Sequence, residues 1–382
     1  MALLPVMLFS ALLHAFVGWR LLGDLALASP ALAWATGLVL LASALLMPMG
    51  LFARRAARGR FALALTWAGL LCMGLFSTLF VLTVLRDAVL LLAWLASLLW
   101  PGGLALDALV ATSALAVPLL GLLATVLGFW NARRTAAVVR VDVPIAGLPA
   151  ALHGFTVAQI SDVHIGPTLR HRHMHAIVAR VNSLGADMVA ITGDLVDGRV
   201  HELSDHVAPL AQLQSRHGTY FVTGNHEYYS GADSWLAHLG KLGIKALRNE
   251  HVVIGGSDSG FVLAGIDDPT SPLSDLKQAL AGRDASRACV LLAHQPKAIE
   301  LADELGVDLQ LSGHTHGGQI CLPGGVPITL DSNLPRRFGA GAWCYGEMAG
   351  YTSVGAGSSV VAVRLNCPPE ITLHRLERDG AQ

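Results

Sequence analysis

The chain has 382 residues, a length that suggests two domains, and it is 53 % hydrophobic but only 14 % charged. Soluble globular proteins carry roughly 25 % charged residues, so an ordinary soluble chain is excluded. A formal net charge of −1 gives no polycation and no expectation of a nucleic-acid partner, and five cysteines without CxxC spacing argue against a disulfide framework.

The averages hide a partition. Of 16 histidines, only His14 precedes residue 150. Four apolar runs fill the first third: 1–22, 29–52, 61–85 and 104–130. Each is about long enough to cross a hydrocarbon core of ~30 Å at ~1.5 Å per residue. A further run, Ala88–Trp100, is short for a span and reads as the third helix continuing past Arg86 and Asp87, or as an interfacial segment. Ala26-Leu27-Ala28 resembles a signal cleavage site, but no Lys or Arg precedes the first run and more spans follow, so the run reads as an anchor. Gly69, Gly74, Gly121 and Gly128 read as helix-packing positions.

Basic residues set the orientation. Arg54, Arg55, Arg58 and Arg60 crowd the connection between spans two and three, and Arg133, Arg134 and Arg140 follow span four. The positive-inside rule puts both groups in the cytoplasm. The expectation is a multi-pass inner-membrane protein with a cytoplasmic C-terminal domain.

Residues 131–150, with Val143-Pro144 and Leu148-Pro149, read as a linker to a domain over 151–382. From there the pattern alternates. Phe155–Ile160 is a short apolar run suited to a buried strand, and His171–Leu184 carries apolar residues at helical spacing. Met188–Thr192, TYFVTGNHE, FVLAGIDD, CVLLAHQP and VDLQLSGHTH continue the series. Each apolar strand runs into a loop bearing Asp, Asn or His. Open α/β sheets place chemistry at the carboxyl ends of their strands. Convergence of these ends would gather Asp162, His164, Asp194, Asp197, Asn225, His226, His294, His314 and His316.

Each segment alone has a structural reading, as a cap, a turn or a satisfied histidine. Their joint occurrence, each after an apolar strand and none with a cysteine, favours a metal site. Carboxylate and imidazole without thiolate suit Mn, Fe or Zn. One bridging carboxylate lets two divalent ions sit about 3.5–4 Å apart, a spacing that clamps the oxygens of a phosphoryl group. The glycines at 313, 317 and 318 would let backbone approach such ions closely.

The series Asp162-Val163-His164, Gly193-Asp194-Leu195-Val196-Asp197, Gly224-Asn225-His226-Glu227, His294 and Gly313-His314-Thr315-His316 resembles the calcineurin-like metallophosphoesterase signature, in the family's order. SDVHIG, GNHEYY, HTHGGQI and LNCPPEITL resemble its bacterial YkuE/YaeI-type branch, some members of which carry N-terminal transmembrane helices. The resemblance implies a four-layer α/β/β/α sandwich with two mixed sheets behind the helical membrane bundle. It implies that Asp162, His164 and His316 hold one metal and Asn225, His294 and His314 the other, with Asp194 bridging. His226 would be an unligated general acid oriented by Asp197. GSSVVAVR departs from the family's pattern, being bulkier than the Gly-rich run expected there.

The expected function is a membrane-anchored phosphohydrolase acting on a phosphodiester or pyrophosphate, with a phospholipid or sugar-nucleotide lipid among the substrates considered. The alternatives are a non-catalytic module that binds a phosphoryl ligand, and a transporter with a regulatory domain. Other residues attract notice without entering the site. His171, His173 and His175 read as a solvated helix face. Asp267-Asp268 and Arg336-Arg337 read as turns, and Arg364 as a residue after a strand that could reach phosphate.

Overall fold

A computed structural model describes residues 3–56, 59–256, 259–328 and 334–378. Arg58 and the side chains of Arg54 and Arg55, used above for orientation, lie outside the described residues. Two compact units result: Met1–Trp130 with Val360–Val363, and Asn131–Ser359 with Arg364–Gln382.

The first unit is built on α1 (Leu3–Ala28), α2 (Pro30–Ala56), α3 (Arg60–Leu99) and α4 (Leu106–Arg133). All four are long and apolar enough to cross a membrane. With Trp19, Trp34, Leu92 and Trp130 exposed, the helices present apolar side chains outward, as elements solvated by lipid do. Ala88–Trp100 is no separate element up to Leu99: α3 runs unbroken for 40 residues, about 60 Å at 1.5 Å per residue. Gly69 meets Gly50 so closely that a Cβ on it would lie 2.7 Å from the Gly50 Cα, so the α2–α3 contact depends on small residues. His14 is stacked on Phe76 and bonded to Ser43, which ties three helices together. Charges pair internally: Arg20 with Asp87, and Arg86 with Asp24 and Ser113.

The second unit begins with β1 (Ala137–Ile145), β2 (Thr156–Ile160), α5 (His171–Asn182), β3 (Met188–Ile191), α6 (Val200–Val207) and β4 (Thr219–Phe221). It continues through α7 (Asn225–Ser230), α8 (Ala232–Lys241), β5 (Ile244–Ala246), β6 (Glu250–Ile254), β7 (Phe261–Gly265), α9 (Leu276–Leu280) and β8 (Cys289–Leu292). The last elements are α10 (Ile299–Glu304), β9 (Leu309–Ser312), β10 (Cys321–Leu322), β11 (Val326–Pro327), β12 (Gly341–Tyr345), β13 (Met348–Thr352) and β14 (Glu370–Arg378).

Two six-stranded mixed sheets form, ordered β1-β14-β2-β3-β4-β5 and β12-β13-β9-β8-β7-β6. Strands β2 to β5 are parallel in the first sheet, and β7, β8, β9 and β13 in the second. Period-two alternation distributes their side chains between cores. Val157, Met188 and Ala190 meet Val290, Leu292, Leu309 and Leu311 between the sheets. Ala158, Ile160, Val189 and Ile191 face the helices instead, against Met174, Ile177, Val178 and Val181 of α5. Those four sit at i, i+3, i+4 and i+7, one face of a helix. Each fully buried Ile or Leu there contributes about 1.5–3 kcal/mol. On the other side Cys289 and Leu291 pack with α9 and α10. Helix, sheet, sheet and helix make four layers.

Within the stretch read as a linker, residues 137–145 form β1, the edge strand paired in parallel with β14. Pro144 is accommodated there because an edge strand has one row of unpaired N–H positions. Beneath the carboxyl ends of β2 and β9 the inter-sheet layer turns polar. The Gln159 amide donates to Thr192 Oγ1 and Ser312 O, so its Oε1 accepts from His374 Nε2–H at 2.9 Å. Burial lowers the His374 pKa to about 3, and the ring stays neutral.

Candidate metal centre

Five strand ends supply the site. β2 leads into Asp162 and His164, β3 into Asp194 and Asp197, and β4 into Asn225 and His226; β8 and β9 lead into His294 and into His314 and His316. These residues converge. Asp162, His164 and His316 bring one ligand atom each within 4.8 Å of one another, as do His164, Asp194 and His226, and Asp194, His294 and His314. Asn225 Oδ1 lies 3.0 Å from His314 Nδ1 and joins the third group. Asp194 Oδ2 is 3.8 Å from His164 Nε2 and 3.2 Å from His294 Nε2, so one carboxylate faces both donor sets.

The backbone is bent to achieve this. Asp162, His164, Asp194, His314 and His316 all have φ between 50° and 74°, the left-handed region that costs a non-glycine residue free energy. Such strain concentrates where the surroundings over-determine a geometry. Gly224 and Gly313 make the loops fit: a Cβ on the first would overlap the Asp194 carboxylate, and on the second that of Asp162.

The expected histidine and carboxylate pair is also assembled. His226 Nδ1–H donates to Asp197 Oδ1 at 2.5 Å, while its Nε2 turns toward Asp194 at 4.0 Å. The same Asp197 oxygen accepts from His164 Nδ1–H at 3.1 Å. Burial would lower the His226 pKa, but the Asp197 hydrogen bond and the charges of Asp194, Asp197 and Glu227 raise it overall. Burial would likewise raise Asp194, yet His294, His164 and His226 hold it far below the ordinary carboxylate range.

Residues 155–318 match the family described as calcineurin-like phosphoesterase. The Bos taurus "Transmembrane protein with metallophosphoesterase domain" is 38 % identical over 314 residues, 76 % of this chain and 68 % of that protein. The chain belongs to the calcineurin-like metallophosphoesterase family. Similar to it are an uncharacterized metallophosphoesterase of Helicobacter pylori and the uncharacterized metallophosphoesterase YkuE of Bacillus subtilis. The first is 38 % identical over 57 % of this chain, which spans 58 % of the relative's length. The second is 27 % identical over 60 % of this chain and 82 % of its own length. With its four apolar helices the chain is a membrane protein carrying a metal-dependent phosphoesterase domain.

The donor set of this metallophosphoesterase fits divalent cations. It is all oxygen and nitrogen. His164 Nε2 and His316 Nε2 face each other at 2.9 Å, two ring nitrogens that need a cation or a proton between them. His294 Nε2 is fully buried and, although near Asp194, satisfies no hydrogen-bond geometry. Its Nδ1–H donates to the Thr192 carbonyl at 2.7 Å, which turns Nε2 toward the cluster.

Glu227 has a part that sequence reasoning gave to no single residue. Its buried carboxyl group accepts from the backbone N–H groups of Asp194, Leu195 and Gly224, clamping the loops that carry Asp194 and Asn225 together. Burial and the neighbouring Asp194 charge push it up to about 8. Most of the residues set aside lie elsewhere, and Arg364 reaches the site only from behind His316. His171 and His175 are exposed, and His173 is bonded to the Ala356 carbonyl. Asp267 is paired with Arg248 and Asp268 with Gln295. Arg336 and Arg337 are exposed. Arg364 is wholly buried, so it is no surface phosphate contact.

Proposed function

We propose that this metallophosphoesterase is a membrane-anchored binuclear phosphohydrolase that cleaves a phosphodiester or a pyrophosphate. The reading rests above all on Asp194, whose carboxylate faces His164 on one side and His294 on the other. In it, Asp162, His164 and His316 hold one cation, Asn225, His294 and His314 the second, and Asp194 is shared; Mn, Fe and Zn all suit these donors. Two such cations, when bound, make hydroxide available near neutral pH and offset charge on phosphoryl oxygens.

The protein supplies the proton. Asp197 accepts Nδ1–H of His226, which leaves Nε2 as the atom that delivers a proton to the leaving oxygen. The Asp197 hydrogen bond and the neighbouring carboxylates raise the His226 pKa, which favours its protonated form. A pure binding module has no use for such a pair.

The four apolar helices support a lipid-linked substrate, a phospholipid or a sugar-nucleotide lipid. The arginines before α3 and after α4 support an inner-membrane location with the α/β domain in the cytoplasm. A reporter fused after Gln382 that works only on the outer face would overturn that orientation. For the activity, the purified full chain with Mn²⁺ is expected to hydrolyse a chromogenic phosphodiester and to lose this on chelation. Binding of phosphoryl ligands without any turnover, in the presence of Mn²⁺, would favour the non-catalytic module. A lipid extract incubated with the enzyme then identifies the substrate as the component that disappears.

A further inference from the structure

His316 differs from the other two histidines whose outer nitrogens have a named partner. His164 Nδ1 faces the Asp197 carboxylate and His294 Nδ1 the Thr192 carbonyl, both acceptors. Such partners fix the proton on Nδ1 and free Nε2 as a ligand. His316 Nδ1 instead lies 2.9 Å from Arg364 Nη2, and a guanidinium only donates. Arg364 is held there without freedom to turn. It is fully buried, and three of its other N–H groups donate to the carbonyls of Val354 at 2.5 Å, Gly357 at 2.7 Å and Cys367 at 3.1 Å.

We propose that Arg364 is a positioning residue that fixes His316 in the tautomer opposed to metal ligation and so weakens the cation site formed with Asp162 and His164. With Nδ1 accepting from Arg364, the neutral ring carries its proton on Nε2, the atom that faces His164 Nε2 at 2.9 Å and Asp162 Oδ1 at 3.4 Å. In the metal-free protein that proton bonds inside the pocket. Ligation through Nε2 would send that proton to solvent and leave an imidazolate, because Arg364 continues to occupy the nitrogen that would otherwise take it. Ring orientation is thereby set in advance, at the expense of affinity. The inference rests on His316 being a ligand, as proposed above.

Two measurements test it. In the metal-free full chain labelled with ¹⁵N-histidine, nitrogen–proton couplings of the His316 ring, identified by their absence from His316→Asn, are expected to place the proton on Nε2. A proton on Nδ1 overturns the proposal whatever the variants do. In Mn²⁺ titrations followed by electron paramagnetic resonance, Arg364→Gln offers an acceptor oxygen to Nδ1–H, whereas Arg364→Met offers none. Arg364→Gln is expected to bind Mn²⁺ about tenfold more tightly than the parent protein at one of two sites, the scale on which outer partners act, with Arg364→Met gaining less. A folded Arg364→Gln that binds Mn²⁺ no more tightly than the parent would leave Arg364 only its carbonyl ties and sink the idea. If His316→Asn bound Mn²⁺ like the parent protein, the ligand assignment would fail instead, a different result from either of these.

Discussion

Asp194→Asn is expected to leave a folded protein that no longer retains its cation pair. The substitution keeps shape and volume, and an amide oxygen still accepts from the His226 backbone N–H, bonded at 2.8 Å in the parent. What disappears is the negative charge facing His164, His226 and His294 together, at 3.8, 4.0 and 3.2 Å. No other described carboxylate belongs to both the second and the third donor groups, so nothing nearby replaces it. Hydrolysis should fall by about 10⁴-fold or more, equivalent to about 5.4 kcal/mol of barrier. Metal content after dialysis should fall in parallel, while thermal unfolding of the metal-free forms stays similar. Retention of two cations per chain by Asp194→Asn would refute the shared-carboxylate arrangement.

His226→Ala is expected to separate chemistry from metal binding. The ring is fixed through Asp197 and its Nε2 stands 4.0 Å from Asp194, so its removal should lower kcat by ~10²–10⁴-fold, the usual worth of a general acid. Metal content should not change. The loss should depend on the leaving group: small for a nitrophenolate, which departs without a proton, and large for an alkoxide, which needs one. Equal losses for both substrates would deny His226 its proton-donor role. Asp197→Asn should behave differently again, because its carboxylate also holds His164 Nδ1–H. It should lower kcat and also weaken Mn²⁺ binding by about 10–100-fold, the range seen when an outer partner of a metal histidine is lost.

Local pattern carried much of this protein. The four long helices follow from uninterrupted apolar runs, because a bilayer demands about twenty such residues wherever the segment lies in the chain. The strands before Asp162, Asp194, Asn225, His294 and His314 are short apolar runs ended by polar loops, and that local contrast marks them. Joint order of the motif residues then pointed to their meeting.

Pairings between distant segments had no such mark. The run 137–145 contains Pro144 and charged residues, and only its partner β14, more than two hundred residues away, makes it a strand. Glu227 looks like the fourth letter of a short motif. Its clamp exists only when the loops at 194 and 224 are brought side by side. Arg364 follows a valine run as any surface arginine could, and its burial against His316 depends on how the chain returns from 318 to 364. Composition and periodicity are properties of neighbours in sequence, so the sequence by itself determined the apolar helices, the strand ends and the kinds of donor they bear. Which carboxylate two histidines share, and which nitrogen an arginine touches, are decided by distances of 3–4 Å between residues far apart in the chain, and only tertiary packing sets those.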